Sequence, residues 1–294
     1  MKTTLSPIVI ACLLTMSSLS TVLAQSEEAG YKLNSEARKI EMEAQNRASL
    51  EEAIKKYQAA LAMFEKVKSD RGKRTALCNL GETYFNLGQY GESRECYDQS
   101  LLISQKIRDT TGEGESLNGL GLVYRALSEY SKAIDHFDRS LQIRKRIGDT
   151  KGEGSTTANL GEVYWNVGQS TKALECYQQS LLISRGVGDA KVEGESLNGL
   201  GLVYRALGEY SKAQEYFHQA LEVREKIGDV RGQGTSINNI AVGYFYVGQY
   251  PKSLEYFERS LIIKRKIGDL KDVGINLNNI GNRSAGGGHK KRCW

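Results

Sequence analysis

The chain has 294 residues, 40% of them hydrophobic and 26% charged, which is enough apolar content for a large buried core and too much for a disordered polymer. Of its 40 Lys and Arg, Lys2 opens the chain and Arg283, Lys290, Lys291 and Arg292 fall in the last twelve positions; the body between is formally neutral against 35 Asp and Glu and offers no basic stripe for nucleic acid. Only Pro7 and Pro251 could interrupt a helix, and the cysteines follow no paired framework, which excludes a disulfide-stapled scaffold.

The first element is set apart by composition. Lys2 precedes an apolar run from Ile8 to Leu14, a polar neck, and Val22 and Ala24 just before Gln25. This pattern predicts a signal peptide over residues 1–24, cut after Ala24, and export to the periplasm or the exterior. The apolar run is too short to span a bilayer, so no stable membrane insertion is expected after cleavage. Residues 25–32 read as a short leader.

From Leu33 onward the chain repeats. Gly81, Gly121, Gly161, Gly201 and Gly281 fall on a 40-residue grid, with Ala241 in the remaining place. Tyr84, Tyr124, Tyr164, Tyr204 and Tyr244 follow three residues later, and Asp109, Asp149, Asp189, Asp229 and Asp269 close successive units. Within one unit, Leu117, Leu120, Gly121, Tyr124 and Leu127 recur at helical spacing, and so do Ala133, Phe137 and Leu141. Gly88, Gly168, Gly208 and Gly248 are placed to end each first helix in the left-handed conformation. Glycine before the closing Asp ends the second, and the Asp caps the next. Each unit is therefore a helical hairpin, and one hairpin cannot bury its apolar face alone. The first unit is degenerate but in phase, with Ile40, Ala44, Leu50, Ala53, Tyr57, Ala60 and Leu61 at core positions. The array is predicted over 33–281 as six hairpins and the first helix of a seventh, with 282–294 a disordered basic tail.

The spacing of Leu120, Gly121, Tyr124, Ala133, Phe137 and Leu141 resembles the tetratricopeptide repeat. The period is longer than the usual one, with the extra residues in the "GDxxGEG" connection and Lys145 in place of the usual proline, as in the long-period subclass. Arrays of that subclass occur in polarity adaptors and ahead of caspase-like CHAT domains. The resemblance implies an all-α fold, a right-handed superhelical solenoid of antiparallel hairpins, whose first helices line a concave groove.

Chemistry-bearing residues are few. Cys96, His136 and Cys176 share one helical position in successive units, but stacked helices lie roughly 8–10 Å apart, too far for ligands that must each sit about 2.3 Å from one zinc ion. "GEGESLNGLG" lacks the lysine and the preceding strand of a phosphate loop, and "DTTGEGE" lacks the ligand spacing of a calcium loop. No catalytic set converges, so no enzymatic activity, cofactor or metal is expected.

What the core does not explain lies on the first helices. The resemblance points the positions three and two before the motif glycine into the groove, and these supply Asn79, Asn118, Asn159, Asn198, Asn238, Asn239, Asn278 and Asn279. Asparagine is a mediocre helix former. Its amide both donates and accepts, so a row of asparagines can hold an extended peptide; equally, the row can bond to itself and set the pitch of the stack. The positions one and four after the glycine alternate: Glu82 with Phe85 and Glu162 with Trp165, against Leu122 with Arg125 and Leu202 with Arg205. Either these read a mixed-charge partner, or Glu82 pairs with Arg125 and Glu162 with Arg205. "EGESLNGLGLVYRAL" occurs twice, at 113–127 and 193–207, so the wall repeats every second hairpin. The expected function is a protein or peptide interaction scaffold. Two alternatives stand beside it: the recognition half of a larger caspase-like effector, and a homo-oligomer built through an uncapped C-terminal end.

Overall fold

The structure, a computed structural model, describes residues 7–43 and 47–267, with side chains from residue 22 onward. Every element among them is an α-helix. They form six consecutive hairpins: α1 (Pro7–Glu43) with α2 (Arg47–Lys66), α3 (Asp70–Asn86) with α4 (Tyr90–Ile107), α5 (Thr110–Ala126) with α6 (Tyr130–Ile147), α7 (Thr150–Asn166) with α8 (Ser170–Val187), α9 (Ala190–Ala206) with α10 (Tyr210–Lys226), and α11 (Val230–Tyr246) with α12 (Tyr250–Lys266). The expected seventh first helix, Asn278 and the tail lie outside the described residues.

The turns form as the residue pattern predicts. Gly88, Gly168, Gly208 and Gly248 have φ between 75° and 79°, and Gly148, Gly188 and Gly228 are also left-handed. At Gly88 the amide donates to Phe85 O and that of Gln89 to Tyr84 O, both at 2.9 Å, satisfying carbonyls the ending helix leaves open. Each first helix that follows a closing aspartate is capped by its side-chain oxygen. Asp109, Asp149 and Asp229 accept from the amides of Gly112, Gly152 and Gly232 at 2.9–3.0 Å, and Asp189 accepts from Val192 at 3.2 Å. Such a cap contributes about 0.5–2 kcal/mol. Each of these aspartates also holds a cation: Arg74 on Asp109, Arg144 on Asp149, Lys151 on Asp189 and Arg224 on Asp229.

The chain divides into two compact units, Met1–Ile143 and Arg144–Trp294. In the first, α1, α3 and α5 touch in succession, each backed by its hairpin partner; in the second, α7, α9 and α11 do the same. First helices therefore form one wall of each unit and second helices the other. The motif glycines explain the close approach within hairpins. A Cβ on Gly81 would meet the Tyr97 ring at 3.0 Å and one on Gly121 the Phe137 ring at 2.6 Å. Serines add polar fastening that periodicity does not announce: Ser140 donates to Gly114 O at 2.7 Å, Ser180 to Gly154 O at 2.8 Å and Ser260 to Gly234 O at 2.9 Å.

The first hairpin departs from the rest. Residues 25–32, expected as a leader, belong to α1 and pack. Glu27 accepts from Ser69 Oγ at 2.6 Å, Gly30 is buried under Phe64, and the Tyr31 ring lies 4.8 Å from that of Phe64. The reason is length: Phe64 sits near the end of α2, so α1 must reach back past Leu33 to cover it.

Candidate functional site

In the first unit the wall carries Asn79, Glu82, Asn118 and Arg125, joined by Asn34, Arg38 and Glu41 from α1, which sequence reasoning missed. Asn79 Nδ2 donates to Asn34 Oδ1 at 3.2 Å. Glu82 is held by Arg38 at 2.6 Å, so its partner comes from the preceding hairpin and not from the expected Arg125. Arg38 also reaches Glu41, at 3.2 Å. Glu41 is shielded, its side chain 7% exposed, and accepts from Tyr57 OH at 3.0 Å and Thr83 Oγ1 at 2.9 Å. Burial first, and then the neighbouring charge of Glu82, raise its carboxyl above the ordinary range. Asn118 and Arg125 both have bonding or charge partners. Cys78 is half-buried against Tyr97, Leu120 and Val123, its thiol pushed up to about 12 by desolvation.

In the second unit the wall carries Asn159, Glu162, Trp165, Asn198, Arg205, Asn238 and Asn239. The last helices make a directed chain of donors. Arg205 Nη1 donates to Asn239 Oδ1 at 3.4 Å, and Asn239 Nδ2 donates to Asn198 Oδ1 at 2.9 Å. Asn239 is 8% exposed, so it serves as an internal relay. Asn198 ends the chain with its amide N–H groups unspent among the described residues. Asn238, beside the relay, has a shielded Oδ1 that accepts no hydrogen bond among them. The self-bonding of asparagines is thus real at both of these steps, Asn34 with Asn79 and Asn198 with Asn239, yet it leaves one donor and one acceptor over in the second unit.

Glu162 does not pair with Arg205. Its charge is felt by Glu195 on the next first helix, whose carboxyl is raised by desolvation and, against Lys191 and Arg224, by Glu162. Arg205 instead lies over the Phe217 ring at 5.9 Å, and burial lowers its pKa, with the Tyr246 hydroxyl the one group opposing that. Trp165 is half-buried against the cluster of Ala173, Tyr177, Leu200 and Val203, so part of its ring belongs to the core. Asn159 has partners of its own. Sequence reasoning also missed Tyr246, which is 50% exposed and stacks on Tyr210 at 5.3 Å. The signal was present: the same grid position holds Asn86, Ala126, Asn166 and Ala206, all smaller.

Rows of capped hairpins, with closely packed glycines between them and a polar first-helix wall, define a helical repeat protein of the interaction type. The chain belongs to the tetratricopeptide repeat family: one tetratricopeptide repeat model matches residues 72–146 and 154–226, and a second matches 234–267. Solved structures share the fold. NprR in complex with its cognate peptide NprX superposes with a TM-score of 0.67 at 14% identity, over 89% of this chain and 75% of that one. A Rap protein complexed with Competence and Sporulation Factor gives 0.66 at 16% identity, over 89% and 80%. BtubC from P. vanneervenii gives 0.56 at 14% identity, over 92% and 95%. No curated protein matches the sequence.

Proposed function

We propose that this protein works by binding, and that it holds an extended peptide segment of a partner protein against the first-helix wall of its second unit. One observation carries the reading: among the described residues, the relay from Arg205 through Asn239 ends on unspent donors at Asn198, and the shielded Oδ1 of Asn238 accepts no hydrogen bond. The Asn198 donors match the C=O that an extended backbone offers along one edge, and a rotation of the Asn238 amide would bring its carbonyl to an N–H. Leaving a shielded carbonyl without a donor costs about 1–3 kcal/mol, which a peptide N–H would recover. Two fold relatives are described as peptide or factor complexes, which supports the same kind of use. The test is capture from a random dodecapeptide library by the purified chain. Asn198→Ala with Asn238→Ala should weaken the selected peptides by about tenfold or more while leaving the far-ultraviolet helical signal intact. Undiminished capture by that double variant would remove the wall as the site.

We also propose that the chain is exported and begins, when mature, at Gln25. Ser69 to Glu27 is the tertiary bond nearest the start of the chain among the described residues, whereas Val22 and Leu23 are 55% and 37% exposed. Cutting after Ala24 would therefore spare the packing of α1 at Glu27, Gly30 and Tyr31. No described helix is long and apolar enough to cross a membrane. Mass spectrometry of chain recovered from outside the cytoplasm should start at Gln25; recovery there of a chain still carrying residues 1–24 rejects the proposal.

A further inference from the structure

Three well-buried arginines of this molecule come with carboxylates. Arg74 is 13% exposed and bonds Asp109 and Glu115 at 2.9 and 2.8 Å. Arg144, 11% exposed, has Asp149 at 3.3 Å, and Arg224, 8% exposed, has Asp229 at 3.8 Å. Arg205 breaks the pattern. It is half-buried, it is clamped between the Asn239 amide and the Phe217 ring, and no carboxylate pairs with it among the described residues. A cation partly removed from water and left without an anion is an unfavourable arrangement unless something supplies the anion. The Asn239 contact at 3.4 Å and the Phe217 ring at 5.9 Å also bias its guanidinium toward this place before any ligand arrives.

We propose that Arg205 is the specificity-determining anchor of the wall and that it takes the side-chain carboxylate of an Asp or Glu within the bound peptide. The inference rests on the peptide-binding reading above and names what that peptide must contain. Commitment to a side chain, and not to the peptide's terminal carboxylate, follows from the neighbours. Asn198 offers donors to a backbone C=O, and Asn238, once its shielded amide turns outward, an acceptor to an N–H, so the backbone is held through both of its polar groups and runs on past Arg205. Tyr246, half-exposed and stacked on Tyr210, forms an aromatic flank on the same helix as Asn239, and its hydroxyl lies near enough to Arg205 to influence its charge. An acidic residue beside an apolar one would fill both.

The same dodecapeptide library, with amidated C-termini, tests this on the full chain. Wild type should select peptides with Asp or Glu at one fixed internal position. Arg205→Gln should lose that enrichment and bind the best wild-type peptide about tenfold or more weakly. Arg205→Glu should shift selection toward Lys or Arg at the same position. Unchanged helicity of both variants shows that the loss is not unfolding. Selection without any acidic preference, or an acidic preference that persists in Arg205→Gln, overturns the assignment while leaving peptide binding intact. Acidic selection that appears only when the peptides carry a free C-terminal carboxylate overturns it in favour of terminus recognition. Failure to capture any peptide overturns both readings together.

Discussion

Two steps in the second unit solve the same contact differently. Between α8 and α9, Tyr177 lies against its own motif glycine, Gly161, and its ring crosses to Gly199 on the next first helix, where a Cβ would clash with it. Between α10 and α11, Phe217 lies against Gly201, and the position corresponding to Gly199 is Asn239. The first unit repeats the tyrosine version with Tyr97, Gly81 and Gly119. A tyrosine on the second helix thus extends into the space above the next first helix and demands glycine there. A phenylalanine seats its ring closer to its own glycine, 2.4 Å from a Cβ on Gly201 against 3.0 Å for Tyr177 on Gly161, and so leaves room for an asparagine. Groove chemistry that alternates every second hairpin is therefore written by the core behind it. The 80-residue duplication needs no alternating partner to account for its glycines, although Asn198 and Arg205 still stand outside that steric rule.

The comparison breaks most directly at Gly199. Gly199→Asn would copy the α10–α11 solution into a step built for tyrosine, and overpacking of this kind costs about 1–3 kcal/mol. Chemical denaturation should show the loss as a lower midpoint. Adding Tyr177→Phe should return at least ~1 kcal/mol of it, because the pair is in contact and non-additive. If the double variant is as unstable as the sum of the singles, the size relation between second-helix aromatic and next first-helix residue is wrong.

Much of this was legible before any coordinates. Hairpin limits follow from glycine and aspartate at fixed spacing, since only a left-handed turn and a short side-chain acceptor satisfy helix ends so compactly. The wall positions follow from the resemblance to the repeat family. What periodicity could not assign is the partner of each long side chain. Glu82 meets Arg38 and Glu162 faces Glu195, because reach and burial, and not register, decide such contacts. The first hairpin shows the limit most clearly. Asn34 and Asn79 pair across 45 residues, whereas Asn198 and Asn239 pair across 41, a displacement of one helical turn that no repeat grid contains. Gly119 and Gly199 stood at groove positions in the pattern, yet their absent side chains are accounted for by rings that approach from the opposite side.

The first hairpin also supplies an apparent exception to the steric relation, and with it a sharper test. Tyr57 is a tyrosine, yet Asn79 follows it where glycine would be required. Glu41 accounts for the exception: one turn beyond Ala37, which the displaced α1 sets against Tyr57 in the motif-glycine place, it takes the Tyr57 hydroxyl at 3.0 Å. That solution carries a charge into a shielded position, and the charge has a signature. The folded carboxyl titrates above the 4.5 of an unperturbed glutamate, chiefly through burial. A group whose folded value is raised binds its proton more tightly in the folded state, so its stabilising contribution is complete below 4.5 and declines as pH climbs through the higher folded value. Glu41→Gln keeps an acceptor for Tyr57 and removes the titration. Amide exchange in α1 should therefore become less protected between acid and neutral pH in wild type, and the difference between wild type and Glu41→Gln should shrink toward the acid end. The effect should be a fraction of the Gly199→Asn loss and confined to α1 and its neighbours. Parallel pH profiles for the two chains would mean that the Tyr57 hydroxyl is positioned by packing alone, and the tyrosine–glycine relation would then lose its account of the first hairpin.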